Sequence, residues 1–273
     1  MKYTNLINIV ATGALCLVIA SCDNIDSDNR YLPVEKPEEE GIPKMLLIQE
    51  FTGHMCTNCP EGAAAIHSID EAFPGRMITV GMHPAGGGPN TQPLPGQNFR
   101  CDEAQVMYEY FLPSGFPCAV FNGIEQTTAI QSWFTIASGM FNQTAKMSIE
   151  AISDYNSSTR EVTIDYSIHL VDDFDDSLNV MVWIMENGII GAQLNAGVME
   201  YDYVHNHVLR ASLNGDWGQN LPTPLEKGQT VTGSASMTVD PKWVAENCQV
   251  VVYVFHNSNK YVEQAALVDV VAQ

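Results

Sequence analysis

The sequence predicts an α/β unit followed by an all-β sandwich, carried behind an export segment. Strand and helix signals alternate through the first half, up to about residue 145. Beyond it, apolar and polar residues alternate with period two, run after run, with turn signals between. Ahead of both, a positive charge, a short apolar run and a cysteine direct the chain out of the cytoplasm.

The export segment comes first. Lys2 precedes an apolar run from Leu6 to Ala20, which is 15 residues and short of the roughly 20 needed to span a bilayer. The run ends in Ile19-Ala20-Ser21-Cys22, which resembles a bacterial lipobox. That resemblance implies a signal peptide over 1–21 and lipidation of Cys22, each buried methylene of the acyl chains contributing about 0.8 kcal/mol. An ordinary signal with Cys22 a stray thiol is the other reading. Residues 22–43 carry Glu38-Glu39-Glu40, Pro33, Pro37 and Pro43 with few apolar residues, a composition that cannot bury a core and reads as an acidic tether. Fully extended, it would reach about 70 Å. Acid directly after a lipobox cysteine also resembles the surface-export signals of some outer-membrane lipoproteins. The expected location is the cell envelope of a Gram-negative bacterium, lipid-anchored to the outer membrane, on its periplasmic side or at the cell surface.

Charge narrows the partners. The chain holds 12 Lys and Arg against 32 Asp and Glu, a net charge of −20. Removing residues 1–21, whose only charge is Lys2, would make it −21. The basic residues are scattered, so nucleic acid and anionic membrane surfaces, which need clustered positive charge, are excluded as partners. The expected partners are the membrane, through the lipid anchor, and exported proteins as substrates; the oligomeric state stays open.

The α/β unit is expected over 44–145. Met45 to Phe51 is a short apolar run of buried-strand type, and Thr52-Gly53-His54-Met55 is a loop. A helix follows from Pro60 through Phe73, with Ala63, Ile66, Ile69, Ala72 and Phe73 roughly on one face; Pro60 suits a first turn, where a missing N–H costs nothing. Pro74-Gly75 stops it, and Met77 to Met82 reads as a second strand. An insertion near 85–114 starts with Gly86-Gly87-Gly88 and a Pro-rich loop and contains a second helix from about Gln97 to Leu112. Cys118 to Phe121 is a strand, Asn122-Gly123 a hairpin turn, and Ile130 to Phe141 a closing amphipathic helix.

Between the first strand and its helix stands Cys56-Thr57-Asn58-Cys59. A thiolate there is stabilised by unpaired helix N–H groups, and two cysteines three apart can close a small disulfide, so in an exported chain the motif reads as redox. Zinc would need a second ligand pair; Cys101, Cys118, His54 and His83 lack regular spacing, so no metal and no cofactor is expected. With Glu50 six residues before Cys56 and Gly115-Phe116-Pro117 ahead of a strand and hairpin, this half resembles a thioredoxin-fold domain. The resemblance implies Cys56 as nucleophile, Cys59 as resolving thiol, Glu50 as proton relay and Pro117, in the cis form, as substrate platform. Phe116 and Met55 would contact the substrate. Met55 stands where the family has a tryptophan, and Cys118 directly follows the cis-proline.

The all-β unit is expected over 146–273. Val162, Ile164, Tyr166, Ile168 and Leu170 alternate with polar residues, as do Val180, Val182 and Ile184, and again Val250, Val252 and Val254. Seven strands are expected, at 146–153, 160–171, 178–186, 203–213, 229–239, 248–256 and 261–271, which argues for an immunoglobulin-like sandwich. The Glu50-Phe51-Thr52-Gly53 approach to Cys56-Thr57-Asn58-Cys59-Pro60, the segment Val204 to Arg210 and the closing Val262-Glu263-Gln264-Ala265-Ala266 are together similar to the outer membrane protein 28-related lipoproteins. That resemblance implies a thioredoxin-like domain plus a C-terminal β-sandwich, and an envelope location.

Smaller features have plain readings beside functional ones. His205 and His207, two apart, would face one side of a strand and could hold a metal or be a structural pair. Asp172 to Asp176 could bind calcium or be a solvated turn, and Asp176-Ser177-Leu178 resembles an O-glycosylation signal. Cys101, Cys118 and Cys248 remain unassigned; Cys118 is a buried small hydrophobe or a neighbour of the disulfide.

Two functions follow. The chain is a tethered thiol–disulfide oxidoreductase, or a non-enzymatic surface binding or adhesion lipoprotein that uses the α/β half as a scaffold and the sandwich for partner binding. Solvent access to Cys56 separates them, since a sulfur buried behind the insertion sinks the enzyme.

Overall fold

The computed structural model describes residues 41–272, so Cys22 and the tether as far as residue 40 lie outside the described residues. Strand β1 (Leu46–Phe51) is buried along its whole length, as its unbroken apolar run requires. Helix α1 (Cys59–Ala72) carries the chain across to β2 (Met77–Met82), which lies parallel to β1 in register Leu46 to Met77. The helix buries Cys59, Gly62, Ile66 and Ile69, a spacing of three and four, and Pro60 sits in its first turn. It therefore includes Cys59, one residue earlier than its sequence pattern predicts.

The insertion opens with a 3₁₀ segment (Ala85–Thr91) and continues in helix α2 (Asp102–Phe111), shorter than the predicted 97–112. Asp102 and Glu103 occupy its first turn, where carboxylates face the positive end of the helix. After the cis Phe116–Pro117 bond, β3 (Cys118–Phe121) runs antiparallel to β1 and turns at Asn122-Gly123 (φ 46° and 74°) into β4 (Glu125–Thr127). Helix α3 (Ile130–Met140) buries Trp133 and Ala137 on the same sheet face as α1.

The second half contributes β5 (Met147–Asn156), β6 (Glu161–Leu170), β7 (Leu178–Glu186), β8 (Ile189–Asn195), β9 (Val198–His205), β10 (Val208–Ser212), β11 (Gln219–Asn220), β12 (Thr230–Thr238), β13 (Cys248–His256) and β14 (Val262–Asp269). With three α-helices against fourteen strands, the described residues are mostly β. Strands β12, β6 and β5 form a separate three-stranded antiparallel sheet, and β8 and β9 form a hairpin of their own. The remaining strands join the first half in one nine-stranded sheet, ordered β14–β13–β7–β10–β2–β1–β3–β4 with β11 beside β7.

No break in the sheet falls at residue 145; the described residues, 41–272, make one compact unit. The reason lies in β7, where all nine residues are buried. Val180, Val182 and Ile184 pack toward the three-stranded sheet, while Met181, Trp183 and Met185 pack with Ala104 and Met107 of α2 and with Ile78 and Val80 of β2. Helix α2 thus lies over the junction and its apolar face belongs to both halves. The predicted strand 203–213 is two strands, β9 and β10, parted at Asn206-His207, where His207 takes the left-handed φ of 59°.

Candidate functional site

The loop between β1 and α1 is built by short-range bonds: Cys56 N–H donates to the Gly53 carbonyl at 3.0 Å and Cys59 N–H to the Cys56 carbonyl at 3.3 Å. A disulfide joins Cys56 to Cys59. Both residues are buried, at 3% and 2% exposure.

The β8–β9 hairpin covers them. Leu194 N–H donates to the His54 carbonyl at 2.8 Å and Ala196 N–H to the Thr57 carbonyl at 3.0 Å. Gly197 N–H reaches Thr57 Oγ1 at 2.7 Å. The buried side-chain amide of Gln193 donates to the carbonyls of Cys56 at 3.1 Å and Gly53 at 3.3 Å. From the insertion side, Met55 N–H donates to the Asn90 carbonyl at 2.9 Å. A β-carbon on Gly53 would stand 2.2 Å from that same carbonyl oxygen, so only glycine permits the approach.

Beneath the disulfide, on the α1 face of the sheet, lies Glu50. Its carboxyl is buried, Oε1 has no hydrogen-bond partner, and burial alone pushes its pKa up to about 8. A β-carbon on Gly62 would meet Glu50 Oε1 at 2.8 Å and Pro117 Cγ and the Trp133 ring at 3.0 Å, so the bare glycine lets α1 settle onto this group. Glu50 and Pro117 therefore meet at Gly62, and Glu50 and Cys59, the latter joined to Cys56, line one groove. Phe116 is turned elsewhere: half-buried, it packs with Phe51 and Tyr108 at 6.4 and 6.3 Å between ring centres. Met55 is also half-buried.

A histidine cluster sits where hairpin, insertion and loop converge. Phe99 stacks edge-on against His54, His83 and His205, at 5.4, 5.3 and 4.7 Å between ring centres. His54 Nε2 lies 2.7 Å from the Gln92 carbonyl and His205 Nε2 lies 3.3 Å from the Ala192 carbonyl. Burial, first among the causes, depresses all three, His83 to about 3 and His205 to about 4. Among the described residues no group of three or more His, Cys, Asp or Glu is arranged to hold a metal.

Other expectations resolve in place. His205 ends β9 and His207 lies in the turn beyond it, so the two do not share a strand face. Asp172 pairs with Lys146 at 3.1 Å, which lowers its pKa, Asp173 accepts from the Lys227 N–H at 2.6 Å, and Asp176 reaches His256 at 3.2 Å. The acidic run is engaged in local pairing. Cys118 sits in the core cluster with Phe51 and Val120, on the sheet face away from α1, and burial raises its pKa to about 11. Burial likewise raises Cys101 and Cys248 to about 12, leaving all three thiols unreactive at neutral pH. Gln193 and the β8–β9 hairpin are not among the residues that the sequence pattern singles out. The signal was local, an Asn195-Ala196-Gly197 turn between Leu194 and Val198, with φ of 47° and 83° at Ala196 and Gly197.

Between α1 and the turn joining β9 to β10 runs a groove of about 660 Å³. Cys59 and Glu50 border one end; Cys56 does not border it.

A family profile described as outer membrane protein Omp28 matches residues 104–272. No curated protein matches the chain. Among solved structures, HBP35 of Porphyromonas gingivalis is similar over 84% of this chain and 76% of its own, at 16% identity and a TM-score of 0.64. A protein of Agrobacterium tumefaciens is similar over 86% of this chain and 97% of its own, at 14% identity and a TM-score of 0.53. A domain of the outer membrane lipoprotein Omp28 from Porphyromonas gingivalis matches 46% of this chain and 88% of its own, at 21% identity and a TM-score of 0.35. The likenesses to HBP35 and to the Agrobacterium tumefaciens protein are of fold.

Proposed function

Because the chain belongs to the outer membrane protein Omp28 family, we propose that it is an envelope lipoprotein held by an acylated Cys22, with a binding rather than a catalytic role. Its first half serves as a thioredoxin-like scaffold. The β2–β1–β3–β4 order, with α1 following the cysteine pair and α3 closing the unit, supports that description. The three-stranded sheet packed over β7 and β13 supports an immunoglobulin-like sandwich that shares one layer with the scaffold.

One observation carries the binding reading: the β8–β9 hairpin seals Cys56 at 3% exposure. A disulfide so enclosed acts as a brace for the loop it closes. The partners fit an acidic, tethered protein, namely the membrane through its anchor and other exported polypeptides, and exclude nucleic acid.

A second reading has its own support in Glu50. A buried carboxyl without a partner stabilises nothing, and groups so perturbed cluster at functional sites. With the hairpin lifted and the pair reduced, the Cys56 thiolate would attack an exported protein's disulfide. One substrate sulfur leaves as a thiolate, and Cys59, its proton passing to the ionised minority of Glu50, displaces the other. The substrate gains two electrons and Cys56–Cys59 becomes the disulfide.

Equilibration with glutathione, followed by acid trapping and mass measurement, separates the two. A potential below about −300 mV with Cys56 resistant to alkylation is expected of the brace. A potential between about −270 and −120 mV with rapid alkylation of Cys56 would overturn it in favour of exchange.

A further inference from the structure

We propose that the groove beside α1 takes an extended, uncharged peptide segment, which adds as a strand to the free edge of β2. This rests on the binding reading above and names its ligand class. Along β2, all six residues pair with β1, whereas on the other side only Gly81 is paired, opposite Val208, its N–H donating to the His207 carbonyl at 2.7 Å. The left-handed His207 turns the chain away there, which ends the contact at one residue.

Strand geometry decides what the free edge presents. Successive residues of a parallel strand turn their N–H and C=O groups to opposite sides. The carbonyls of Arg76 and Met82 face β1, accepting from Leu46 and Thr52, and Gly81 faces the other way. Met77 and Thr79 share the orientation of Gly81, so their N–H and C=O groups point to the groove side, where no strand among the described residues lies opposite them. The open stretch, Met77 to Val80, is about 13 Å long at roughly 3.3 Å per residue. The groove volume of about 660 Å³ falls within the range of about 300–1,000 Å³ usual for ligand sites.

Four side chains of the lining each hold an unpartnered atom among the described residues. Glu50 Oε1, Thr79 Oγ1, His83 Nδ1 and His207 Nδ1 are buried atoms without a hydrogen bond, and all four residues line this groove. Burial keeps Glu50 protonated and His83 and His207 neutral near pH 7. These three groups thus bring no charge to the lining, which suits an uncharged chain and not ions. Ala63 and Ala64 on α1 leave room for side chains of the incoming strand. Asp70 on the same helix and the net charge of −20 disfavour an acidic segment.

The probe is a blocked, uncharged tetrapeptide of alternating valine and threonine, added to the full chain. At saturation, hydrogen exchange at the Met77 and Thr79 amides is expected to slow at least tenfold. Thr79→Pro removes the N–H that faces away from β1, together with the buried Thr side chain, and is expected to weaken binding at least tenfold, with circular dichroism to show that the strand is kept. Ala64→Trp, at an exposed helix position, fills the groove and is expected to do the same with circular dichroism unchanged. Absence of binding, binding without protection at those two amides, or full binding by Ala64→Trp would each overturn the proposal. The glutathione titration is independent of all three, so a resistant disulfide alongside any such failure leaves the binding reading standing and removes only this groove.

Discussion

The side-chain amide of Gln193 holds the backbone carbonyl of Cys56 at 3.1 Å, across 137 residues of sequence. The same Nε2 lies 3.3 Å from the Gly53 carbonyl and 2.9 Å from that of Leu194, so one amide bridges the cysteine loop and the hairpin above it. A buried side chain that unites two elements this way governs access to whatever lies beneath.

Gln193→Ala is expected to loosen the cover. Losing these buried bonds costs about 1–3 kcal/mol, and each 1.4 kcal/mol of easier opening is about tenfold in the open population. Reduced protein carrying the substitution should alkylate at Cys56 about 10- to 100-fold faster than the parent, read by mass after timed quenching. An unchanged rate would mean that the hairpin is held elsewhere.

Glu50→Gln should stabilise the fold, in a pH-dependent way. The native carboxyl keeps its proton up to about pH 8, while the unfolded one loses it near 4.5. Between these values the unfolded chain binds fewer protons, so stability falls as pH rises, by up to about 1.4 kcal/mol per unit. The substitution removes that loss: a gain on the order of 2–3 kcal/mol at pH 7 that vanishes below pH 4.5. Urea titrations at pH 4 and pH 7 would show it, and equal gains at both would refute it.

The histidine cluster acts in the opposite sense. His83 and His205 stay neutral down to about 3 and 4, whereas unfolded imidazoles protonate near 6.5. As pH falls from 6.5 the unfolded state gains protons that the native junction refuses, and each histidine withdraws up to about 1.4 kcal/mol per unit. Since these rings join hairpin to insertion, opening should begin there. Hydrogen exchange at Leu194 and Ala196, corrected for intrinsic rates, is expected to rise between pH 6.5 and 4, and to rise less in His205→Phe.

Gly53→Ala tests the insertion's contact. The added carbon would meet the Asn90 carbonyl oxygen at 2.2 Å, and backbone cannot yield as a side-chain tip can. A loss of about 1–3 kcal/mol is expected from such overpacking, measurable as a shift in the denaturation midpoint. Gly139→Ala, where nothing lies within 4 Å, is the control and should be neutral or mildly stabilising in its helix.

The cysteine pair, Glu50 and Pro117 were legible in the sequence because their chemistry is local: a motif after a strand, an acid six residues earlier, a proline before a hairpin. The cover was not, since a hairpin's docking site more than 130 residues upstream leaves no mark in either segment's periodicity. The sheet that passes residue 145 was half legible. Val180, Val182 and Ile184 announce one buried face, and Met181, Trp183 and Met185 between them announce the other, yet a two-faced apolar strand is equally compatible with a closed sandwich. From Val204 to Leu209 the run shows no glycine or proline, so nothing but the backbone of His207 reveals the break there.

The hairpin's position in the chain also sets a timetable. The segment Ile189–His205 is made long after Cys56 and Cys59, and cannot close over them until it exists. Until then the two sulfurs lie open to whatever oxidant the emerging chain meets; afterwards they are shut away. Once the hairpin has docked, any further exchange at the pair must wait on its opening.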